Sequence, residues 1–354
     1  MWKRAVVIGF LFLNSILLYN CSLEGQYREP DFGKDYNGSL YIFPESEDIG
    51  ANFVGDLFLY KNYIVIPAYR METDSFLHIY DKNTGKHLKS AVSRGRAYNE
   101  LLSSLCLSEL DEERGEIVYY DLLKGTQLTC NIDELMSGSK NCIKAIQRSY
   151  DKFLTHCFSL GNNSLIVCNY PPASKDTVYQ RFLITDWKNN LYNSSSYPYS
   201  EASFFRWNLY NSANCAISSS KEHFAVATTY GAVLETYNVV GSKLEQRSVN
   251  YFIEPLIGEE KNADYSNVIR GFADLFATDE ALYGVYDGVV RSNGKINGDD
   301  LYHNIVKFSW DGTPLEKINA GVRIYRICYD EVTETLFAII KHPQKGTVLA
   351  KQSM

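Results

Sequence analysis

Arginine is the residue whose placement along this chain most invites chemistry. Arg94, Arg96, Arg206, Arg270, Arg323 and Arg326 each stand in or beside a polar connection ahead of an apolar stretch. A guanidinium is a planar, permanently charged fork that grips carboxylates and sulfated sugars through two bonds at once. One arginine from each of several connections would build a positive funnel, even in a chain of formal net charge −7. Surface solvation and ion pairing between packed sheets are the structural roles open to the same residues. Glu100 lies in the first of these connections, Ser93 to Ser103, placed to pair with Arg94 or Arg96 or to accept N–H bonds from its own loop. Around Arg206 runs YNSSSYPYSEASFFRWNLYN, whose rings suit either sugar stacking or packing between sheets.

Other chemistry is sparse. His78, His87, His156, His223, His303 and His342 form no His-x-His or His-Glu-x-x-His pair, so no metal centre is assigned. No Gly-x-Ser-x-Gly elbow or phosphate loop appears, and no catalytic residue or cofactor is assigned. Basic residues do not cluster, which argues against nucleic acid as a partner. Of 8 cysteines none forms a Cys-x-x-Cys pair, and Cys157, Cys168 and Cys328 sit in apolar runs as small hydrophobes. Cys130 and Cys142 flank NIDELMSGSKN and are either a loop-closing disulfide or two free thiols.

What would position such residues is a repeat. FSWDGTPLEKI, HIYDKNTGKHL, LITDWKNNLYN and ETYNVVGSKLEQ each read as a strand, a tight polar turn and a returning strand. Upstream of each lies a strand, a turn and a strand that is apolar on both faces, as in YIVIPA, FAVATT and LFAII. The first core residues of those second strands are Ile64, Ile117, Leu165, Phe224, Leu282 and Leu336. Their spacing, roughly 50 residues, is that of propeller blades rather than short solenoid rungs. One four-stranded sheet cannot bury both its faces, whereas sheets packed radially cover each other. The aromatic content of 14%, with 27 Tyr and 18 Phe, suits strands.

The fold expected is therefore all-β, a six-bladed β-propeller over 37–354. The last copy has room for about three strands, and Gly38 to Pro44 supplies an apolar strand that would close the ring and remove the open edge. A seven-bladed ring is the alternative, given the long stretch from Asn193 to Ser212. Cys106, Cys157, Cys215 and Cys328 precede the second-strand anchors at similar distances. They belong on the innermost strands, where small side chains pack, and their blades hold them too far apart to share one ion.

The amino terminus has a different design. MWKR and AVVIGFLFLNSILL make the charged and apolar regions of an export signal over 1–20, too short for a membrane span. LLYNC resembles the lipobox of bacterial lipoproteins, with Leu18 three places before Cys21, the expected lipidated residue. Residues 21–36 then read as a polar tether.

Three features together resemble the TolB-like six-bladed β-propeller lipoproteins of Bacteroidetes: this start, the loop SRGRAYNELLS, and ATDEALYGVYDG followed by FSWDGTPL. In the loop, Gly95, Arg96, Asn99 and Glu100 match, while Ala97 and Tyr98 replace the usual Gly-Pro. The resemblance implies a fold and an address in the cell envelope, on the outer membrane with the periplasmic face as default, but no reaction. Asp176-Thr177-Val178 likewise resembles a Bacteroidetes O-glycosylation acceptor, with Thr177 as the modified residue. The expected role is a membrane-anchored module that binds or scaffolds an envelope protein or glycan. The alternative is a hydrolase or lyase with a site at the channel mouth drawn from several blades.

Overall fold

The computed structural model describes residues 30–354 apart from 51–54, 68–73, 103–105, 122, 149–153, 162–163, 170–180, 187, 189–190, 196–208, 211, 254–268 and 289–300. The described strands form six sheets, five of four strands and one of five. The first two strands, β1 (Lys34–Asn37) and β2 (Tyr41–Ile42), join sheets built from the other end of the chain. Blade one is β3 (Phe58–Tyr60), β4 (Tyr63–Pro67), β5 (Ser75–Asp81) and β6 (His87–Ser93). Blade two is β7 (Cys106–Asp111), β8 (Glu116–Asp121), β9 (Thr126–Asn131) and β10 (Ile143–Gln147). Blade three is β11 (Leu154–Gly161), β12 (Ser164–Asn169), β13 (Phe182–Asp186) and β14 (Leu191–Ser195). Blade four is β15 (Ala213–Ile217), β16 (His223–Thr228), β17 (Ala232–Val240) and β18 (Lys243–Ile253). Blade five is β19 (Phe272–Ala277), β20 (Ala281–Tyr286), β21 (Asn304–Ser309) and β22 (Pro314–Asn319). Blade six is β23 (Ile324–Asp330), β24 (Thr335–His342) and β25 (Gly346–Ser353), with β2 as its fourth strand.

The second strands carry the fold as their composition requires. Ile64, Ile117, Phe224, Leu282 and Leu336 are wholly buried and Leu165 is 2% exposed, because each strand is covered by a blade on either side. The core is consequently a set of apolar layers rather than one ball. Val65 and Phe76 pack with Ile117 and Tyr119 between blades one and two, and Leu234 and Ala225 with Phe272 and Leu282 between four and five. Each repeated hairpin is the outer half of a blade, from β5–β6 to β21–β22. Gly85 and Gly312 take φ of 73° and 80° in two of those turns, a conformation only glycine adopts without strain.

Ring closure occurs where the sequence placed it: Tyr41 pairs with Lys351 and Ile42 with Ala350. Phe43, 1% exposed, follows directly and stacks on Phe337 of β24 with centroids 6.0 Å apart. The tether reading of 21–36 needs correction at its end. Lys34–Asn37 is a strand, parallel to β22, in register from Lys34 opposite Glu316 to Asn37 opposite Asn319. Just before it, Phe32 meets Phe308 edge to face at 5.6 Å. KDYN is exposed along its length, so it carries no apolar alternation; its attachment comes from backbone bonds to an open edge.

A short helix, α1 (Ile132–Met136), fills the β9–β10 connection. Asn131 caps it by accepting the Glu134 N–H, and Ile132 and Leu135 are its buried residues. Because the strands alternate in direction, the connections between blades share one end of the ring with the β4–β5-type connections inside each blade. That end is the connector face. The opposite end closes with short turns apart from the helical β9–β10 connection.

Candidate functional site

Of the sequence-nominated arginines that the structure describes, Arg94, Arg96, Arg270 and Arg323 belong to the connector face and three of these rest on a ring, while Arg326 lies within β23. Arg94, at the end of blade one, lies over Phe76 at 5.4 Å. Arg270 leads into blade five over Tyr230 at 5.2 Å and is bonded to the Tyr302 hydroxyl. Arg323 leads into blade six over Tyr325 at 4.8 Å. Each ring belongs to a neighbouring strand end on the same face, so guanidinium and aromatic surfaces alternate there. Beside blade five the face opens into a cleft of about 430 Å³, lined by Asn37, Asp287, Gly288, Asn304 and Asn319. Cys21, Thr177 and Arg206 lie outside the described residues.

The loop from Ser93 to Leu102 is held by backbone bonds. Glu100 accepts the Ala97 N–H at 2.8 Å, and Gly95 N–H donates to the Leu101 carbonyl at 2.9 Å. Lys124 reaches back to the Glu100 carbonyl at 2.8 Å, and Asp121 accepts the Leu102 N–H at 2.7 Å. A Cβ on Gly95 would come within 1.9 Å of the Glu100 carboxylate, which is why glycine stands there. Arg96 points into solvent, and among the described residues it makes no ion pair with Glu100. Of the two partnerships open to Glu100, an arginine or the N–H groups of its own loop, it takes the second: backbone secures the carboxylate at lower cost than ordering a long side chain. Glu100→Ala should lower stability by about 1 kcal/mol, and Arg96→Ala should change it by less than about 0.5 kcal/mol. Urea denaturation of the two variants checks both.

Around the axis the innermost strands bring together groups that are far apart in sequence. Arg326 on β23 meets Asp274 on β19 at 3.9 Å and donates to the Tyr325 and Ala273 carbonyls at 2.9 and 3.3 Å. Asp274 also accepts the Ile327 N–H at 2.8 Å, tying blade five to blade six. Burial raises the Asp274 carboxyl to about 7 against the pull of Arg326 and that N–H, with Asp56 adding to the rise. Asp56 and Arg326 also act through space on His156 of β11. The pair Asp274–Arg326 is thus an interblade fastening that lines the axis.

The cysteines of equivalent spacing stand on separate blades, as expected. Cys157, Cys215 and Cys328 do lie on innermost strands, and Cys106 opens β7. The cysteine that approaches Cys215 is instead Cys168, on the second strand of blade three, with Sγ atoms 3.7 Å apart. His156, the register partner of Cys168, completes a group whose ligand atoms all lie within 4.8 Å of one another. Burial opposes ionisation of Cys215. The hydrogen bond with Cys168 and the charge and hydrogen bond of His156 outweigh it, so the thiol is held down at about 5. Burial would discharge His156, but the charge on Cys215 and the hydrogen bond to it raise the imidazole above its usual value. Cys168 is pushed up by burial and by its bond to Cys215. Cys130 and Cys142, by contrast, are adjacent buried free thiols at the start of the β9–β10 pairing.

Behind this group the interface of blades three and four holds a charge pair that the arginine pattern did not single out. Arg181, 1% exposed, grips Glu235, which is wholly buried. Arg181 also donates to the Tyr210 carbonyl at 2.9 Å, and the Tyr237 hydroxyl donates to Glu235 at 2.7 Å. The guanidinium lies over Phe182 at 4.7 Å. Glu235 within the apolar run AVLETYN was the available signal, since a charge there must find a partner.

Comparison with known proteins accords with this geometry. Residues 60–332 match the family model described as TolB-like 6-blade propeller-like. A search of curated protein sequences gives no match. One similar solved structure, of a protein described as exported from Bacteroides fragilis, is 10% identical with a TM-score of 0.56, covering 91% of this chain and 99% of that one. Another, a DUF4221 family member from Bacteroides vulgatus, is 9% identical with a TM-score of 0.53, covering 90% of this chain and 98% of that one.

Proposed function

Since the chain belongs to the TolB-like six-bladed propeller family, we propose that it is an envelope lipoprotein whose propeller binds or scaffolds an envelope protein or glycan. The observation that carries the reading is the connector face. Arg94, Arg270 and Arg323 each lie over an aromatic ring there, and a polar cleft opens on the same face beside blade five. Guanidinium–aromatic surfaces suit carboxylates and sugar faces. The exposed Tyr98, at 67%, and Arg96 extend the same face. The anchor rests on the export-signal pattern ending at Cys21, and the address in the envelope follows from it; the Bacteroides fragilis structure of similar fold is of a protein described as exported.

Both halves are testable. Cys21→Ala should move the protein from the membrane pellet to the soluble fraction; a processed variant that still pellets would count against the anchor. A glycan and peptide screen by thermal shift should return ligands whose effect falls at least tenfold in Arg96→Ala/Tyr98→Ala. Ligands indifferent to that change would move the site elsewhere. The second reading, a hydrolase or lyase, is favoured by Asp274, whose carboxyl at about 7 is tuned as a general acid or base would be. Turnover of any screened substrate that Asp274→Asn abolishes would establish it.

A further inference from the structure

His156, Cys168 and Cys215 present one imidazole and two sulfurs from two adjacent blades to a single point. His156 and Cys168 are paired across β11 and β12, which fixes them on one face of blade three. Cys215 faces them from β15, the innermost strand of blade four. Two sulfurs bound tetrahedrally at about 2.3 Å from zinc stand about 3.8 Å apart. The observed 3.7 Å is that span, and it is well beyond the roughly 2 Å of a disulfide. The donor atoms all lie within 4.8 Å of one another, so small side-chain adjustments suffice to gather them round one ion.

The surroundings suit an ion that balances its own ligands. The two cysteines belong to one apolar cluster with Phe158, Ile166, Phe182, Phe224 and Val226. Two thiolates and a neutral imidazole with a dication carry no net charge, so this unit costs little to hold among apolar groups. The same ligands with a monocation leave a buried negative charge, which is expensive. Cys168 is buried, but His156 and Cys215 are half-buried on strands that line the axis, which gives a cation a way in.

We propose that His156, Cys168 and Cys215 form a Cys2His centre for a thiophilic d10 dication, zinc(II), with its remaining coordination position toward the channel. The centre joins blade three to blade four and is independent of the connector face. Soft sulfur donors select this class over magnesium or calcium, and imidazole is shared by zinc and copper.

The test uses the full-length protein, reduced, dialysed against zinc chloride and then freed of loose metal. One zinc per chain should remain, and cobalt(II) in its place should show thiolate-to-metal charge-transfer absorption. Cys168→Ala, Cys215→Ala and His156→Gln should each weaken zinc binding by more than the roughly 100-fold that loss of an outer partner costs. Cys328→Ala, a buried thiol on blade six, should leave it unchanged. In the unmutated protein zinc should shield Cys168 and Cys215 from alkylation, a readout that survives if a variant misfolds. Any of three results would overturn the assignment: no retained zinc, copper(I) held in preference to it, or a Cys168–Cys215 disulfide in protein isolated from its membrane.

Discussion

Arg181→Met is expected to cost about 3–5 kcal/mol of stability, among the largest single-residue effects in the molecule. The substitution keeps much of the side-chain volume, so the loss is electrostatic. Among the described residues, Glu235, wholly buried, would keep the Tyr237 hydroxyl alone as a hydrogen-bonding partner. The Tyr210 carbonyl would also lose its donor. The pair as a whole need not stabilise the fold, because bringing both charges out of water opposes their attraction. That asymmetry gives the sharper test. Arg181→Met/Glu235→Leu should recover most of what Arg181→Met loses, measured by urea denaturation. A double variant as unstable as the sum of its singles would show that the pair contributes net stability. It would also show that blades three and four depend on charge rather than on the Phe182–Phe224 contact at their interface.

Asp274 should impose a pH dependence on stability with the opposite sign to an ordinary ion-paired carboxylate. Its carboxyl titrates at about 7 in the folded protein against a reference of 3.8, because burial outweighs Arg326 and the Ile327 N–H. Between those values the folded chain holds a proton that the unfolded chain has released. Stability is therefore greatest below about pH 4 for this group and falls as pH rises through about 7. A rise of this size corresponds to at most about 4 kcal/mol across the window. Asp274→Asn mimics the protonated carboxyl and should remove that fall. The quantity to measure is unfolding free energy of both proteins from pH 4 to pH 8, taken as a difference so that other groups cancel. A constant difference across the window would mean that Asp274 is ionised throughout.

Blade number and blade order were legible because one physical requirement repeats. A second strand covered on both sides must be apolar on both faces, and six segments have that property, from YIVIP to TLFAIIKH. The closing strand was legible for the same reason, since Tyr41 and Ile42 precede a buried Phe43. Strand β1 was not, because KDYN offers only backbone and polar side chains to its neighbour. The site was less legible than the fold. The arginine spacing located Arg94, Arg270 and Arg323 at the connector face but gave no hint of the rings beneath them. Glu100 had two plausible partners by spacing, and loop curvature decided for the backbone. The His156–Cys168–Cys215 group depends on cross-strand register and on how one blade leans against the next. Neither quantity is written as a spacing, and of the four cysteines equivalent in spacing only Cys215 belongs to the group.

The parallel attachment of β1 to β22 determines how this molecule bears load. Any pull on the chain ahead of residue 30 passes Phe32, seated against Phe308, and then loads Lys34–Asn37, whose four positions run alongside Glu316–Asn319. Tension along that strand strains all four pairings at once, as in a lap joint, instead of peeling them singly. The lap joint lies upstream of β2, so the strand that seals the ring is sheltered from the force until the joint gives way. Tyr36 adds a rivet outside the backbone ladder, its hydroxyl donating to Glu316 at 2.6 Å, and Lys317 adds another to Asp35 at 2.8 Å. A propeller held by its leading end can in this way be dragged or jostled without its circle being opened.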